Sequence, residues 1–326
     1  MVKVNRRNFL KGLGAGAALT VLPAPFVKAS QSLETLTVDF ATYNPVSLLI
    51  RDRGLFEEAF AADGIAIRWV QSLGSNKALE FLNAGSIDIG STAGAAALVG
   101  SINGNPIKSI GVYSRPEWTA LVTRPDTGIE KVEDLVGRPV AVTRGTDPHI
   151  FLVRALLGAG LTERDLRLVL LQHGDGKTAL IRGDVDAWAG LDPMMAAAEL
   201  EDDARLFYRD AAANTWGILN AREDFLAAHP AIAEKVLEIY EQGRQLALAE
   251  PDALAASLQQ QTGLDAAIIA RQLERTDISH AAIGDLQKET IVEAGRALQT
   301  AGVLDASIDV EAAAGALIDP RYGITG

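Results

Sequence analysis

Four turns in this chain place an N-capping or small residue at the start of an apolar helix. They are Thr42-Tyr43-Asn44, Gly90–Ala95, Gly145–His149 and Leu191-Asp192. A helix N-terminus offers unpaired N–H groups and the positive end of a dipole, which suits an anionic head group. Small residues at Ser91, Thr92, Ala93, Gly94, Gly145 and Thr146 would let a solute approach the backbone. Asn44, Asp147 and Asp192 are also ordinary caps, each followed directly by a proline. The chemistry open to such turns is recognition through hydrogen bonds, with no bond made or broken.

Reactive constellations are missing elsewhere in the chain. Gly174-Asp175-Gly176-Lys177-Thr178 looks like the end of a phosphate loop, but the glycine needed five residues before Gly176 is Leu171. The four histidines, His149, His173, His229 and His280, lack the spacing of a zinc helix. Gly90-Ser91-Thr92-Ala93-Gly94 is not a nucleophile elbow, and the chain has no cysteine. The sequence therefore predicts a binding protein and not an enzyme, with no metal and no cofactor.

The elements that carry these turns follow one plan used twice. Residues Ala78–Gly94 read ALEFLNAGSIDIGSTAG, and Thr178–Asp192 read TALIRGDVDAWAGLD. In each, a helical stretch runs into glycine (Gly85, Gly183), then a β-branched residue and aspartate, then a short apolar strand. Thr35–Phe40, Ile65–Gln71 and Ile87–Gly90 read as strands, with helices over Val46–Ala61, Asn76–Ala84 and Ala95–Ile102. Pro139–Thr143, Leu166–Leu171 and Asp186–Gly190 repeat the pattern, with helices His149–Leu157, Lys177–Arg182 and Met194–Glu201. Strands alternating with helices imply mainly parallel sheets flanked by helices in two α/β lobes. Ligands collect outside the carboxyl ends of such strands, where these turns lie. From Glu223 onward the chain reads as nearly all helix, expected to pack around the first lobe. Trp118–Thr123 and Trp216–Asn220 are the expected crossings between lobes.

The first residues form a separate unit. Asn5-Arg6-Arg7-Asn8-Phe9-Leu10-Lys11 resembles the twin-arginine export consensus, and a weakly apolar run, Gly12–Leu22, follows. That run is too short and glycine-rich to span a membrane, so cleavage is expected after Ala29, leaving a periplasmic protein. The leader holds five of the thirty basic residues and no acid, which leaves 25 against 42 and a mature net charge of −17. Such a surface excludes nucleic acid as a partner.

Read together, LEFLNAGSIDIG, LVTRPDTGIEKVEDLVGRPVAV, GTDPHIFLVRALLGAGL and RGDVDAWAGLDPMMAAAE resemble the substrate-binding proteins of ATP-binding-cassette importers for aliphatic sulfonates, taurine and nitrate. The resemblance implies a two-lobed periplasmic binding fold of type II: residues 1-29 a leader, 30-118 plus 219-326 lobe 1, and 119-218 lobe 2. It implies a monomer that closes on a small organic anion, foremost an aliphatic sulfonate, and delivers it to a permease in the inner membrane. Nitrate, taurine or a pyrimidine vitamin precursor are the alternative ligands, and an enzyme on the same fold is the alternative of another class. The family's binding positions fall on Tyr43, Asn44, Ser91, Thr92, Ala93, Gly94, Gly145, Thr146, Asp147 and Asp192, with Trp188 and Trp216 as further candidate walls. One position departs from the pattern. Sulfonate binders place two hydroxyl residues after the glycine, and here the pair is Thr146-Asp147. An ionised Asp147 would repel a sulfonate by on the order of a kilocalorie per mole. Either the head group sits elsewhere, or the ligand carries a cationic or hydroxyl function.

Overall fold

The computed structural model describes residues 33–322; the leader and the cleavage expected after Ala29 lie outside the described residues. Strand β1 (Thr35–Phe40) is followed by α1 (Pro45–Asp52), where Asn44 caps the helix by accepting from Ser47 N at 3.2 Å. The single helix expected over Val46–Ala61 is two, α1 and α2 (Leu55–Phe60), because Gly54 takes a left-handed conformation between them. Next come β2 (Ala66–Gln71), α3 (Ser75–Asn83), β3 (Ile89–Ala93), α4 (Gly94–Ile102) and β4 (Ile107–Pro116). The second lobe contains β5 (Leu121–Thr123), β6 (Pro139–Val142), α5 (Asp147–Gly158), β7 (Arg167–Leu170), α6 (His173–Arg182), β8 (Ala187–Ala189), α7 (Met194–Glu201) and β9 (Arg205–Tyr208). Strand β10 (Gly217–Arg222) returns to the first sheet.

Two sheets result, ordered β11-β4-β10-β3-β1-β2 and β7-β6-β8-β5-β9, where β11 is Thr276–Asp277. Each has a parallel trio, β2-β1-β3 or β7-β6-β8, as the alternating strands and helices predict. Each also gains antiparallel strands, so the sheets are mixed. Those additions are chiefly the strands that lead out of one sheet and into the other. Strand β4 gave no alternation to read because it is buried on both faces for most of its length.

The sheets are joined by residues 117–120 and 209–216. Gly217–Asn220, expected on the return crossing, is instead ladder of the first sheet, paired with β3 and β4. The two crossings are tied to each other. Arg209 donates from Nε and Nη2 to the two carboxylate oxygens of Glu117, at 2.8 and 2.8 Å, and Thr119 N donates to Asn214 Oδ1 at 2.9 Å.

The remaining helices are α8 (Glu223–Ala228), α9 (Pro230–Ala249), α10 (Pro251–Thr262), α11 (Ala266–Glu274), α12 (Asp285–Thr300) and α13 (Val310–Leu317). They cover the first sheet, and two of them also reach the second lobe. Ala294 and Leu298 of α12 pack with Ala95 of α4 and with Ile150 and Val153 of α5. Ile268 of α11 packs with Ala196 and Ala197 of α7. Apolar contacts thus brace the two lobes on both flanks.

The repeated phrase is scaffold in both copies. Gly85 and Gly183 are left-handed at φ 66° and 83° and end their helices. Asp88 accepts from Thr37 N at 2.8 Å and pairs with Arg222 at 2.9 Å, while Asp186 pairs with Arg138 at 3.1 Å.

Candidate functional site

The carboxyl ends of the two parallel trios converge on a small cavity between the lobes. Its wall is Tyr43 and Ser75 from the first lobe, Trp118 from the outward crossing, and Thr146, Asp147, Pro148, His173 and Leu191 from the second. The wall holds no lysine or arginine. The cavity measures about 10 Å³, room for roughly one water. A solute with several heavy atoms enters only if the lobes part.

Of the positions proposed from sequence, the structure brings Tyr43, Thr146 and Asp147 to this wall. Tyr43 donates from its hydroxyl to Ser91 O at 3.0 Å and stands edge-on to Trp118. Thr146 caps α5 while its own hydroxyl donates to Thr143 O at 2.6 Å. Gly145 is left-handed at φ 78°, and a Cβ there would sit 3.7 Å from Asn76 Cβ across the cleft.

Asp147 is fully engaged. Its Oδ2 accepts from Trp118 Nε1 at 2.8 Å and from Thr215 N at 2.9 Å, and its Oδ1 accepts from Thr215 Oγ1 at 2.6 Å. Trp118 and Thr215 lie on opposite crossings, so one carboxylate joins the start of α5 to both. Burial pushes its pKa up, against the pull of the Thr215 and Trp118 hydrogen bonds.

Other proposed positions do structural work. Ser91, Thr92 and Ala93, expected in a turn, are strand β3, which runs on to the start of α4 because both its faces are buried. Ser91 donates from N and Oγ to the carboxylate of Asp39. Thr92 Oγ1 donates to Ala93 O and accepts from Asn220 Nδ2 at 2.8 Å. Ala93 N donates to Ser75 Oγ, and Gly94 N donates to Trp216 O. Asn44 is the cap of α1. Trp188 is core of the second lobe, packed on Gly176, where any Cβ would come within 2.6 Å of its Nε1. That contact explains the glycine in the phosphate-loop look-alike. Trp216 packs with Val112, Ile218 and Ile283 and meets His280 edge-on.

Asp192 accepts from Ala196 N at 2.9 Å and faces the guanidinium of Arg275 at 3.4 Å. Arg275 precedes β11 of the first sheet, and it also donates to Glu199 on α7. An ion triad, with Asp192 and Arg275 buried and Glu199 partly exposed, therefore spans the lobes. Burial raises the Asp192 pKa to about 7, opposed by Arg275.

Sequence reasoning missed Ser75, Trp118 and His173 as wall residues, and Thr215 as their support; Pro148 and Leu191 lay within the turns it named without being singled out. The available signal was topological: β2→α3 and β7→α6 are further strand-to-helix turns at the same sheet edges. Among the described residues, no group of three or more His, Asp or Glu side chains is placed to hold a metal.

Two expectations follow. Gly74 borders the cleft, and a Cβ there would lie 2.8 Å from Asn76 Oδ1 and 3.0 Å from His173 Nε2 of the opposite lobe. Gly74→Ala should act as a wedge and weaken ligand binding about tenfold, measured by calorimetry; unchanged affinity would show that the lobes do not close this far. The second concerns Asp39, whose pKa burial raises from 3.8 to about 7. Between those values the folded chain keeps a proton that the unfolded chain has lost, so stability rises as pH falls through this window and the gain is complete below pH 3.8. Asp39→Asn should reduce the gain in urea midpoint between pH 8 and pH 5. An identical gain in wild type and variant would refute the assignment.

Residues 51–254 match the family profile described as NMT1/THI5 like, and residues 3–23 match the twin-arginine translocation pathway signal sequence. The putative aliphatic sulfonates-binding protein of Escherichia coli (strain K12) is 31% identical over 298 residues, 87% of this chain and 90% of that protein. Among solved structures, the alkanesulfonate-binding protein of Xanthomonas axonopodis pv. citri bound to MOPS superposes with a TM-score of 0.79 at 24% identity, covering 86% of this chain and 97% of that one. The periplasmic aliphatic sulphonate binding protein of Escherichia coli gives a TM-score of 0.73 at 25% identity, with the same coverage.

Proposed function

Because this chain belongs to the NMT1/THI5-like family, we propose that it is the solute-binding component of an ATP-binding-cassette importer that captures an aliphatic sulfonate between its lobes. The observation that carries this reading is the interlobe cavity, walled by strand-to-helix turns of both sheets and by one crossing. The N-termini of α3, α5 and α6 border that cavity through Ser75, Asp147 and His173, so helix dipoles supply positive potential that no lysine or arginine in the wall provides. Export by the twin-arginine route puts the protein in the periplasm.

Capture is reversible and leaves the solute intact. Burial lowers the His173 pKa to about 3, which makes it a poor base, and the chain offers no thiol nucleophile. The ligand biases an open–closed equilibrium by its preference for the closed form, and the closed form of a monomer engages a membrane permease. A thermal-shift panel of alkanesulfonates, taurine, nitrate and pyrimidines tests the reading. A true ligand at a hundred times its dissociation constant should add about 2.7 kcal/mol of stability. Stabilisation by another class but by no sulfonate, or chemical conversion of the stabilising compound, would overturn it.

A further inference from the structure

We propose that the cleft requires a hydrogen-bond donor on the ligand beside its anionic head group, and that His173 Nε2 and Asn76 Oδ1 are the acceptor pair that reads it. This rests on the sulfonate reading above and sharpens it to hydroxyl- or amino-bearing short sulfonates.

The tautomer of His173 follows from its partner. Thr143 Oγ1 spends its proton on Leu171 O at 2.7 Å, so toward His173 Nδ1 at 3.1 Å it can only accept. The ring proton is therefore on Nδ1, and Nε2 presents a lone pair. That lone pair has no partner although the residue is 1% exposed. Its depressed pKa keeps the ring neutral, so Nε2 stays an acceptor at any physiological pH.

Across the cleft stands a second orphan acceptor. Asn76 Oδ1, in the first turn of α3, has no partner, and it and His173 Nε2 both approach the side of Gly74 that a Cβ would occupy, at 2.8 and 3.0 Å from that position. Gln172 Oε1, next to His173 in the chain, is also buried and unpartnered. Buried acceptors without donors are costly, and a site that leaves them so rejects a ligand that cannot supply an N–H or O–H. Asn76 belongs to the first lobe and His173 to the second, so a donor between them also links the lobes in the closed form.

Calorimetric titration with three near-isosteric probes tests the proposal: 2-aminoethanesulfonate, 2-hydroxyethanesulfonate and ethanesulfonate. At least one donor-bearing probe should bind the wild-type protein ten times or more tighter than ethanesulfonate; which of the two does so tells an ammonium site from a hydroxyl site. His173→Phe keeps a ring and removes the acceptor, and it should bring the three affinities within about threefold. Should His173→Phe fail to fold, Asn76→Leu at the half-buried partner is expected to narrow the same preference. Equal affinities in the wild type would overturn the proposal. So would His173→Phe that loses stability yet keeps the preference, the result expected if the Asn76 amide donates to His173 itself. If none of the three binds while another solute does, the sulfonate reading fails and takes the donor site with it.

Discussion

Asp147→Ala is expected to lower the free energy of unfolding by about 3 kcal/mol, because three buried donors lose their acceptor together. Trp118 Nε1, Thr215 N and Thr215 Oγ1 all point at this carboxylate. The two crossings would lose their common anchor on α5, so cooperativity of unfolding should fall as well. Asp147→Asn provides the contrast. With its oxygen toward Trp118 Nε1 and Thr215 N, asparagine keeps two of the three bonds without a charge, and its amide N–H donates to Thr215 Oγ1 in a reversed third. It should cost less than about 1 kcal/mol in urea denaturation. If residual charge at this point repels the anionic ligand, Asp147→Asn should also bind sulfonates more tightly. An alanine variant as stable as wild type would contradict the anchoring role.

Arg275→Met is expected to act on closure more than on folding. In the closed arrangement Arg275 neutralises Asp192 and Glu199 from across the cleft. Without Arg275 the Glu199 carboxylate loses its partner and the buried Asp192 is driven toward its protonated form, and breaking such a pair costs at most about 3–5 kcal/mol. Opening the lobes hydrates both carboxylates, so the penalty falls on the closed form. Ligand affinity should drop about a hundredfold, equivalent to roughly 2.7 kcal/mol, and small-angle scattering should show a larger radius of gyration. Affinity within threefold of wild type, at an unchanged radius, would mean that the triad does not hold the lobes together.

Much of the fold could be read from local rules. Asn44-Pro45 announced the start of α1, and Gly85 and Gly183 announced helix ends, because each depends on one residue's own backbone preferences. The parallel trios followed from alternation of apolar strands with amphipathic helices. Strand β4 was invisible because burial on both faces erases the period-two signal. The end of β3 was set three residues early, since Gly90-Ser91-Thr92 resembles a turn in composition while the ladder with β10 continues to Ala93.

The site was less legible because its members are joined only by the tertiary fold. Thr215 meets Asp147 from 68 residues away, and Arg275 meets Asp192 from 83. Asp147 stood out in the sequence as the departure from the hydroxyl pair, and its partners are the two crossings. His173 was weighed in the sequence only as a metal ligand, whereas its place in the wall and the tautomer that Thr143 fixes depend on the fold. Trp188 and Trp216 are large aromatic side chains near the right turns, and the space that accepted them was core.

The central claim is that an aliphatic sulfonate is held, unaltered, in the cleft between the lobes. Its most direct test is calorimetric titration of solute-stripped mature protein with short sulfonates, run beside the Gly74→Ala variant. The account predicts one site per chain for at least one sulfonate, about tenfold weaker in the variant, with the compound recovered intact. No saturable binding of any sulfonate, or binding that the variant leaves unchanged, would contradict it.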